Sequence, residues 1–384
     1  MSGVWRAFFK LPMTTVGIAT AALFQLIFCV VWMTGYDGVN ENADRLTVAI
    51  VNEDGEAGSV AAGALGGQLP FRIEHVPTLE DAQKRLDERQ VQMVVHIPSG
   101  FGAALAAPDA KAALNYYINE SNPATIKSMM TAASSQITSA VNDMAAARGV
   151  ETALARLQLP EAQASALAKG LVSRVEGNVV ATNPVNNMAS QMVPMMMVLA
   201  SYVGSMLLSM NLEQTSMALS SRFTRWQRFG VRQLINAGTA VVVGLFAVSL
   251  VTLFGGAYAG GFLALWGFVS LVLFSFMTLS QIFLLLFGPG GMVFNIVLLS
   301  AQLVSSGAMV PRELLPDFYR ELGAFLPATY AVEGLMDLLF GGPSAAGAAA
   351  SLAAAIAICL AVGAGAAAVR RAAKQPAQRS VAAA

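Results

Sequence analysis

Charge is scarce in this chain. Asp, Glu, Lys and Arg make up 12% of its 384 residues, about half the ~25% of an ordinary globular protein. None of the six lysines follows a glycine, so there is no G-x-x-x-x-G-K-[ST] loop to cradle phosphates, and ATP hydrolysis by that route is excluded. The two cysteines, Cys29 and Cys359, both sit in apolar runs, where a thiol behaves as a small apolar side chain rather than half of a disulfide. Only two histidines occur, His75 and His96, with no C-x-x-C or H-E-x-x-H to hold a metal. Both read as ordinary strand residues, a pairing of the two being the sharper alternative. No serine has a His–Asp arrangement that suggests a nucleophile. Between residues 36 and 185, eleven basic residues face seventeen acidic ones, a net charge of −6. Nucleic-acid binding, which needs a cationic footprint, is therefore not expected. Nothing here supports an enzyme or calls for a cofactor.

What the chain has in quantity is apolar sequence. Hydrophobic residues reach 55% and mean hydropathy is +0.59. A run of roughly 20 apolar residues spans a bilayer, and such runs fall at 13–34, 189–210, 233–255, 262–287, 291–310 and 346–369. The first stands alone, and the other five are clustered. That spacing predicts an α-helical polytopic membrane protein of six transmembrane helices, one plus five, with an inserted extracytoplasmic α+β domain. The parts are 1–35 (N-terminus and first helix), 36–187 (inserted domain with a helical stalk), 188–370 (five-helix bundle) and 371–384 (tail). The first run exceeds the ~7–15 residues of a signal-peptide core, and no A-x-A-like site follows it. It reads as an uncleaved anchor. Basic residues cluster before the first span (Arg6, Lys10), between the second and third (Arg222, Arg225, Arg228, Arg232) and after the last (Arg370, Arg371, Lys374, Arg379). By the positive-inside rule all three clusters and both termini are cytoplasmic, and residues 36–187 lie outside.

In the inserted domain, Leu46–Val51, Arg72–Val76, Val91–Ile97 and Asn115–Ile118 read as strands. Thr78 is placed to cap a helix carrying Leu79, Ala82 and Leu86 on one face. Asn122-Pro123 opens a long helix with Ile126, Met130, Ala133, Ile137, Ala140 and Met144 at steps of four and three. Packing on its own domain is expected for this stripe, ahead of a coiled-coil seam. A second helical stretch, Glu151–Val172, is broken at Pro160.

Few polar residues lie within the spans, among them Gln191, Gln281, Asn295 and Gln302. Amides there usually bond a neighbouring helix, and lining a pathway is the functional alternative. No Asp, Glu, Lys, Arg or His falls inside a predicted span, which argues against proton- or sodium-coupled transport. Gly347, Ser351, Ala355, Cys359 and Gly363 form a small-residue stripe in the last span. Segment 221–232 interleaves its arginines with Phe223, Trp226 and Phe229. It reads either as a basic face with aromatics against the membrane or as a docking surface. Segment 306–340 is too apolar for a loop and too rich in proline for one span, so two short helices dipping back into the bundle are expected. Glu333 and Asp337, one turn apart there, read as surface acids or as the lining of an exit.

The run S-G-x-x-x-P … L-P … L-P-x-T-Y-x-x-E-G-L at 306–335 resembles the re-entrant segment of ABC-2 type transporter permeases. Val48-Ala-Ile-Val-Asn-Glu-Asp-Gly55, Val94-Val-His-Ile-Pro98 with Phe101, and Tyr117-Ile-Asn-Glu120 are similar to the external domain of the phage infection protein (Pip) branch, though this domain is more compact. The resemblance implies an export permease of the bacterial cytoplasmic membrane. It would form a homodimer, or a heterodimer with a similar permease, in membrane lipid and dock two separate ABC ATPase subunits. Arg6, Arg222, Arg225, Trp226, Arg228 and Phe229 would couple to the ATPase. Gly307, Pro311, Pro316, Pro327, Tyr330 and Glu333 would form the outer gate, with Gln191, Gln281, Asn295 and Gln302 as candidate pathway residues. An amphipathic cargo is expected. The competing reading is a non-transporting receptor or envelope assembly protein acting through its external domain.

Overall fold

The computed structural model describes residues 27, 30–31, 34–39, 41–55, 69–107, 110–156, 175–185, 188–254, 256 and 258–369. Most of the expected first span, Arg6, residues 157–172 of the second helical stretch, and the tail lie outside these residues.

The inserted region folds around a five-stranded sheet: β1 (Thr47–Asn52), β2 (Arg72–His75), β3 (Met93–Ile97), β4 (Ala112–Asn119) and β5 (Val175–Thr182). The order is β2-β1-β3-β4-β5, with β3 and β4 antiparallel and the other neighbours parallel. Mostly parallel strands need cover on both faces, and the alternation of side chains supplies it. Val48, Ile50, Val95 and Tyr116 meet Ile126, Met130, Ala133 and Ile137 of a 33-residue helix, α3 (Ala124–Arg156). On the opposite face Ala49, Val51 and Val94 pack under Ala82 and Leu86 of α1 (Leu79–Asp87). The stripe on α3 is therefore used within its own domain. Thr78 caps α1, its hydroxyl accepting from the Asp81 amide at 3.2 Å. A short helix, α2 (Phe101–Ala106), adds Phe101 to the α3-side core. Strand β1 lies between the strands of His75 and His96, so the two imidazoles are not neighbours. His96 instead faces Glu53, Nε2 to Oε2 3.1 Å.

The remainder is helical: α4 (Met188–Ala218), α5 (Arg225–Leu253), α6 (Phe262–Phe287), α7 (Met292–Ser305), α8 (Asp317–Phe325), α9 (Pro327–Phe340) and α10 (Ala346–Val369). Helix α6 carries no charged residue and sits at the centre, its Phe268, Val272 and Phe276 buried among α4, α5, α9 and α10. Close approach of α9 depends on Gly334, because a Cβ there would stand 2.1 Å from the Phe268 ring. On α10 the buried line runs Ala348, Leu352, Ile356, Cys359 and Gly363. The anticipated small-residue stripe thus holds only in its second half, because leucine and isoleucine fill the space earlier in the helix.

Four helical stretches among the described residues are long and apolar enough to cross a membrane: Ser190–Ala218, Arg225–Leu253, Phe262–Ser305 and Ala346–Ala368. Helices α8 and α9, bent 82° against each other, make a fifth candidate if taken as one. The third stretch is not a single rod. Asn295 Nδ2 donates to the Ser280 carbonyl at 3.1 Å, and Phe294 stacks on Phe283 and Phe287. Residues 280 and 295 of a straight helix would be ~22 Å apart. The chain reverses at Gly288-Pro-Gly-Gly291, making α6 and α7 separate helices, as their separate apolar runs suggested.

Candidate functional site

Three polar regions lie along the bundle. The first is where the sheet domain meets segment 306–343. Gly307 turns the chain with φ +82°, a left-handed conformation open to glycine. Pro311 precedes a single 3-10 turn, Arg312–Leu314, and Pro316 precedes α8. Leu326 is extended, as a residue before proline prefers, and Pro327 starts α9 at its first position. These prolines set the bend between α8 and α9. Tyr330 donates from its hydroxyl to the Ala324 carbonyl at 2.6 Å and holds the corner. Glu333 faces Arg312, Oε1 to Nη1 3.6 Å. The six residues assigned to a gate therefore belong to one bent unit.

That unit is attached to the sheet domain at several points. Leu314, fully buried, is part of the same core as β1, β3, β4 and α3. Asn42 Nδ2 and Arg45 Nη1 donate to the carbonyls of Leu314 and Leu315 at 3.0 and 3.3 Å, and the Thr125 hydroxyl to that of Met309 at 2.8 Å. Arg89 Nη1 pairs with Asp337, whose side chain is only 9% exposed, while Nη2 reaches the Gly341 carbonyl at 3.1 Å. Gly342 leaves room for this pair, since a Cβ there would stand 2.6 Å from Asp337 Oδ1. Burying a leucine is worth about 1.5–3 kcal/mol, and removing one partner of a buried ion pair costs about 3–5 kcal/mol. The more exposed Arg45–Asp317 pair, 3.0 Å, contributes at most about 1 kcal/mol. Leu314 and Arg89–Asp337 therefore dominate the attachment.

The second region is a buried polar seam. Gln233 Nε2 donates to Gln281 Oε1 at 2.9 Å. Asn295 donates to Ser280 on α6 and accepts from the Tyr202 hydroxyl at 3.3 Å. Tyr202 and Gln302 line one small cavity, and Gln302 Oε1 accepts from the Ala328 amide at 3.2 Å. Three of the four expected pathway amides, Gln281, Asn295 and Gln302, thus belong to one seam. Gln191 lies apart, donating to the Asn122 carbonyl at 3.3 Å beside the sheet domain. Both side-chain atoms of Asn236, and the Nε2 atoms of Gln281 and Gln302, are buried without a hydrogen-bond partner. Buried polar groups of this kind are commonly met by internal water.

The third region is the opposite end of α4 and α5. Thr224 and Gln227 close a capping box, so the helix starts at Arg225 and Arg222 lies in the turn before it. Arg222 is exposed. Arg225 Nη1 donates to the Ala368 carbonyl and Arg228 Nη1 to that of Ser216, each at 2.7 Å. Trp226 is 53% exposed, whereas Phe229 packs its ring against Gly363. The expected uniform basic face is thus divided between exposed residues and helix tethers, and Phe229 faces α10 rather than outward.

Sequence reasoning missed the adjacent Arg232–Glu213 pair, 2.7 Å apart with side chains 5% and 2% exposed. Helices α4 and α5 run past the apolar windows, so these charges fell just outside the predicted spans. The i, i+4 spacing of Arg232, Asn236, Ala240, Gly244 and Val248, all buried, was the available signal.

Residues 16–368 match the family described as ABC-2 family transporter protein. A crystal structure of a domain assigned to an ABC type-2 transporter of Thermotoga maritima MSB8 is 21% identical, with 35% of this chain and 85% of that domain covered and a TM-score of 0.28. No curated protein matches the chain.

Proposed function

Because this chain belongs to the ABC-2 transporter family, a membrane transport component, we propose that it is the permease subunit of an exporter driven by separate ATPase subunits. The family match over residues 16–368 carries this reading. Members of the family normally work with ABC ATPase subunits and have no catalytic site of their own. In this proposal the protein has six spans, with residues 1–35 containing the first, and both termini cytoplasmic. The sheet domain, 36–187, is extracytoplasmic, and two permeases, identical or similar, associate in the lipid of a bacterial cytoplasmic membrane.

The ATPase docks at the α4–α5 turn. Arg222 and Trp226 are exposed to meet it, with Arg225, Arg228 and Phe229 transmitting its movement to α4 and α10. Arg6 would join this surface. The seam of Gln281, Asn295 and Gln302 serves the polar part of an amphipathic cargo, and the bent α8–α9 unit is the outer gate. The attachment of the sheet domain to that unit favours a domain that moves with the gate. The test is copurification of the ATPase with tagged permease in mild detergent. The Arg222→Glu, Trp226→Ala variant should insert normally and lose the ATPase. Retention of the ATPase at the wild-type level would refute the docking surface.

A further inference from the structure

Helices α4 and α5 are tied at the end that carries their turn, by Arg228 to the Ser216 carbonyl and by Arg232 to Glu213. Beyond that end they enclose a cavity of about 580 Å³, with Leu273 and Met277 of α6 behind it. Among the described residues its lining holds no charge, and only Ser190, Ser201 and Thr239 bring polar side chains. The groove is open along one side. Met196 is 46% and Val243 41% exposed, and a Cβ on Gly204 would meet no atom within 4 Å. Along α4 the lining runs from Ser190 to Leu208, ~27 Å at the rise of an α-helix. Along α5 it runs from Phe254 back to Thr239, ~22 Å. Spread over that length, the volume leaves a section of roughly 20 Å². Shape selects the occupant. A helix, about 10–12 Å across with its side chains, is too thick to enter, so a transmembrane segment of a second copy does not fill the groove. A linear hydrocarbon chain does. Apolar cavities stay dry and take up apolar molecules. The stretches that contain α4, α5 and α6 are each long and apolar enough to cross a membrane, so the open side borders acyl chains. Met196, Met197 and Met277 add side chains that adjust to an irregular neighbour.

We infer that this groove binds the acyl chains of bilayer phospholipid, in single file between α4 and α5. The inference rests on α4 to α6 crossing a membrane, which the family match supports. It reaches beyond transport, since binding requires neither the ATPase nor movement of cargo.

The test uses the full-length protein in mild detergent, without ATPase, titrated with a phosphatidylcholine that carries a diazirine on one acyl chain. After irradiation the labelled residues are mapped by mass spectrometry. Saturable labelling is expected on Met196, Met197 and Val243, and only non-saturating labelling on Val242 and Phe246, exposed on α5 outside the groove. Gly204→Leu places its side chain in open space, so it should keep the wild-type Tm and lower the saturable labelling about tenfold. Gly238→Leu, equally open but outside the lining, is the matched control and should label as wild type does. Saturable labelling that is absent, that extends equally to Val242 and Phe246, or that survives Gly204→Leu overturns the site. A disulfide between two copies carrying Gly204→Cys, with Cys29 and Cys359 replaced by serine, would assign the groove to a second copy and also overturn it. A chain that does not sediment with membranes overturns the membrane reading and the groove with it, whereas insertion without saturable labelling overturns the groove alone.

Discussion

Arg89 joins the halves of the molecule while adopting a backbone conformation that arginine rarely takes, φ +58°. Its partner Asp337 is 248 residues away, and no local pattern announces such a pair. Arg89→Ala should destabilise the sheet-domain attachment by about 3 kcal/mol, the lower end for breaking a buried pair. Asp337→Asn added to it should cost much less than the sum of the two singles. Thermal melts of the solubilised single and double variants measure this directly. The Glu213–Arg232 pair should behave more sharply. Glu213→Gln removes the carboxylate charge facing the buried Arg232 guanidinium and should cost about 3–5 kcal/mol, read as a lower Tm or loss of detergent-stable protein. Gln281, Asn295 and Gln302 of the seam were legible as rare amides in apolar runs, whereas Gln233 and Asn236, at the start of the 233–255 run, were passed over. Their assembly into one file depends on the reversal at 288–291 and on α4 supplying Tyr202, neither of which is written in their spacing.

At the level of elements, periodicity carried most of the architecture. The strands β1 to β4, the capped α1 and the inward stripe of α3 follow from short apolar runs, a threonine cap and steps of four and three. Strand β5 was missed for a physical reason. It is an edge strand whose residues between its ends are exposed, so it shows no apolar alternation; pairing with β4 and the bonds of Asn142 on α3 to Val175 specify it instead. The bent α8–α9 unit was legible through its prolines, but its engagement with the sheet core was not. Helix packing offers a separate test. Gly334→Val should force Phe268 from its place and cost about 1–3 kcal/mol, and Phe268→Leu in the same chain should restore part of the loss. Equal melting temperatures for Gly334→Val and wild type would refute the close contact of α6 and α9.

For the whole molecule, the sheet domain and the α4–α5 turn lie at opposite ends of the bundle, and the proposed topology puts a membrane between them. With Cys29 and Cys359 replaced by serine, a cysteine at exposed Ser135 should react with an impermeant maleimide added to intact cells. One at Arg222 should react only after the cells are opened. The reverse pattern would invert the topology. A long polar insertion followed by a clustered apolar remainder was the most legible feature of the sequence; the lone first span expected before it lies mostly outside the described residues. Its basis is the bilayer's length requirement, which acts on composition rather than on contacts.

One consequence concerns anyone who would cut this protein apart. Leu314 belongs by sequence to the second half of the chain and by packing to the first. Residues 36–187 secreted alone, as an antigen or a crystallisation target, would be an incomplete body with a leucine-sized hole and unmet donors at Asn42 and Arg45. A peptide covering 309–316, appended by a linker, is the missing piece. By the same logic, grafting the domain onto another permease requires exchanging two distant stretches together.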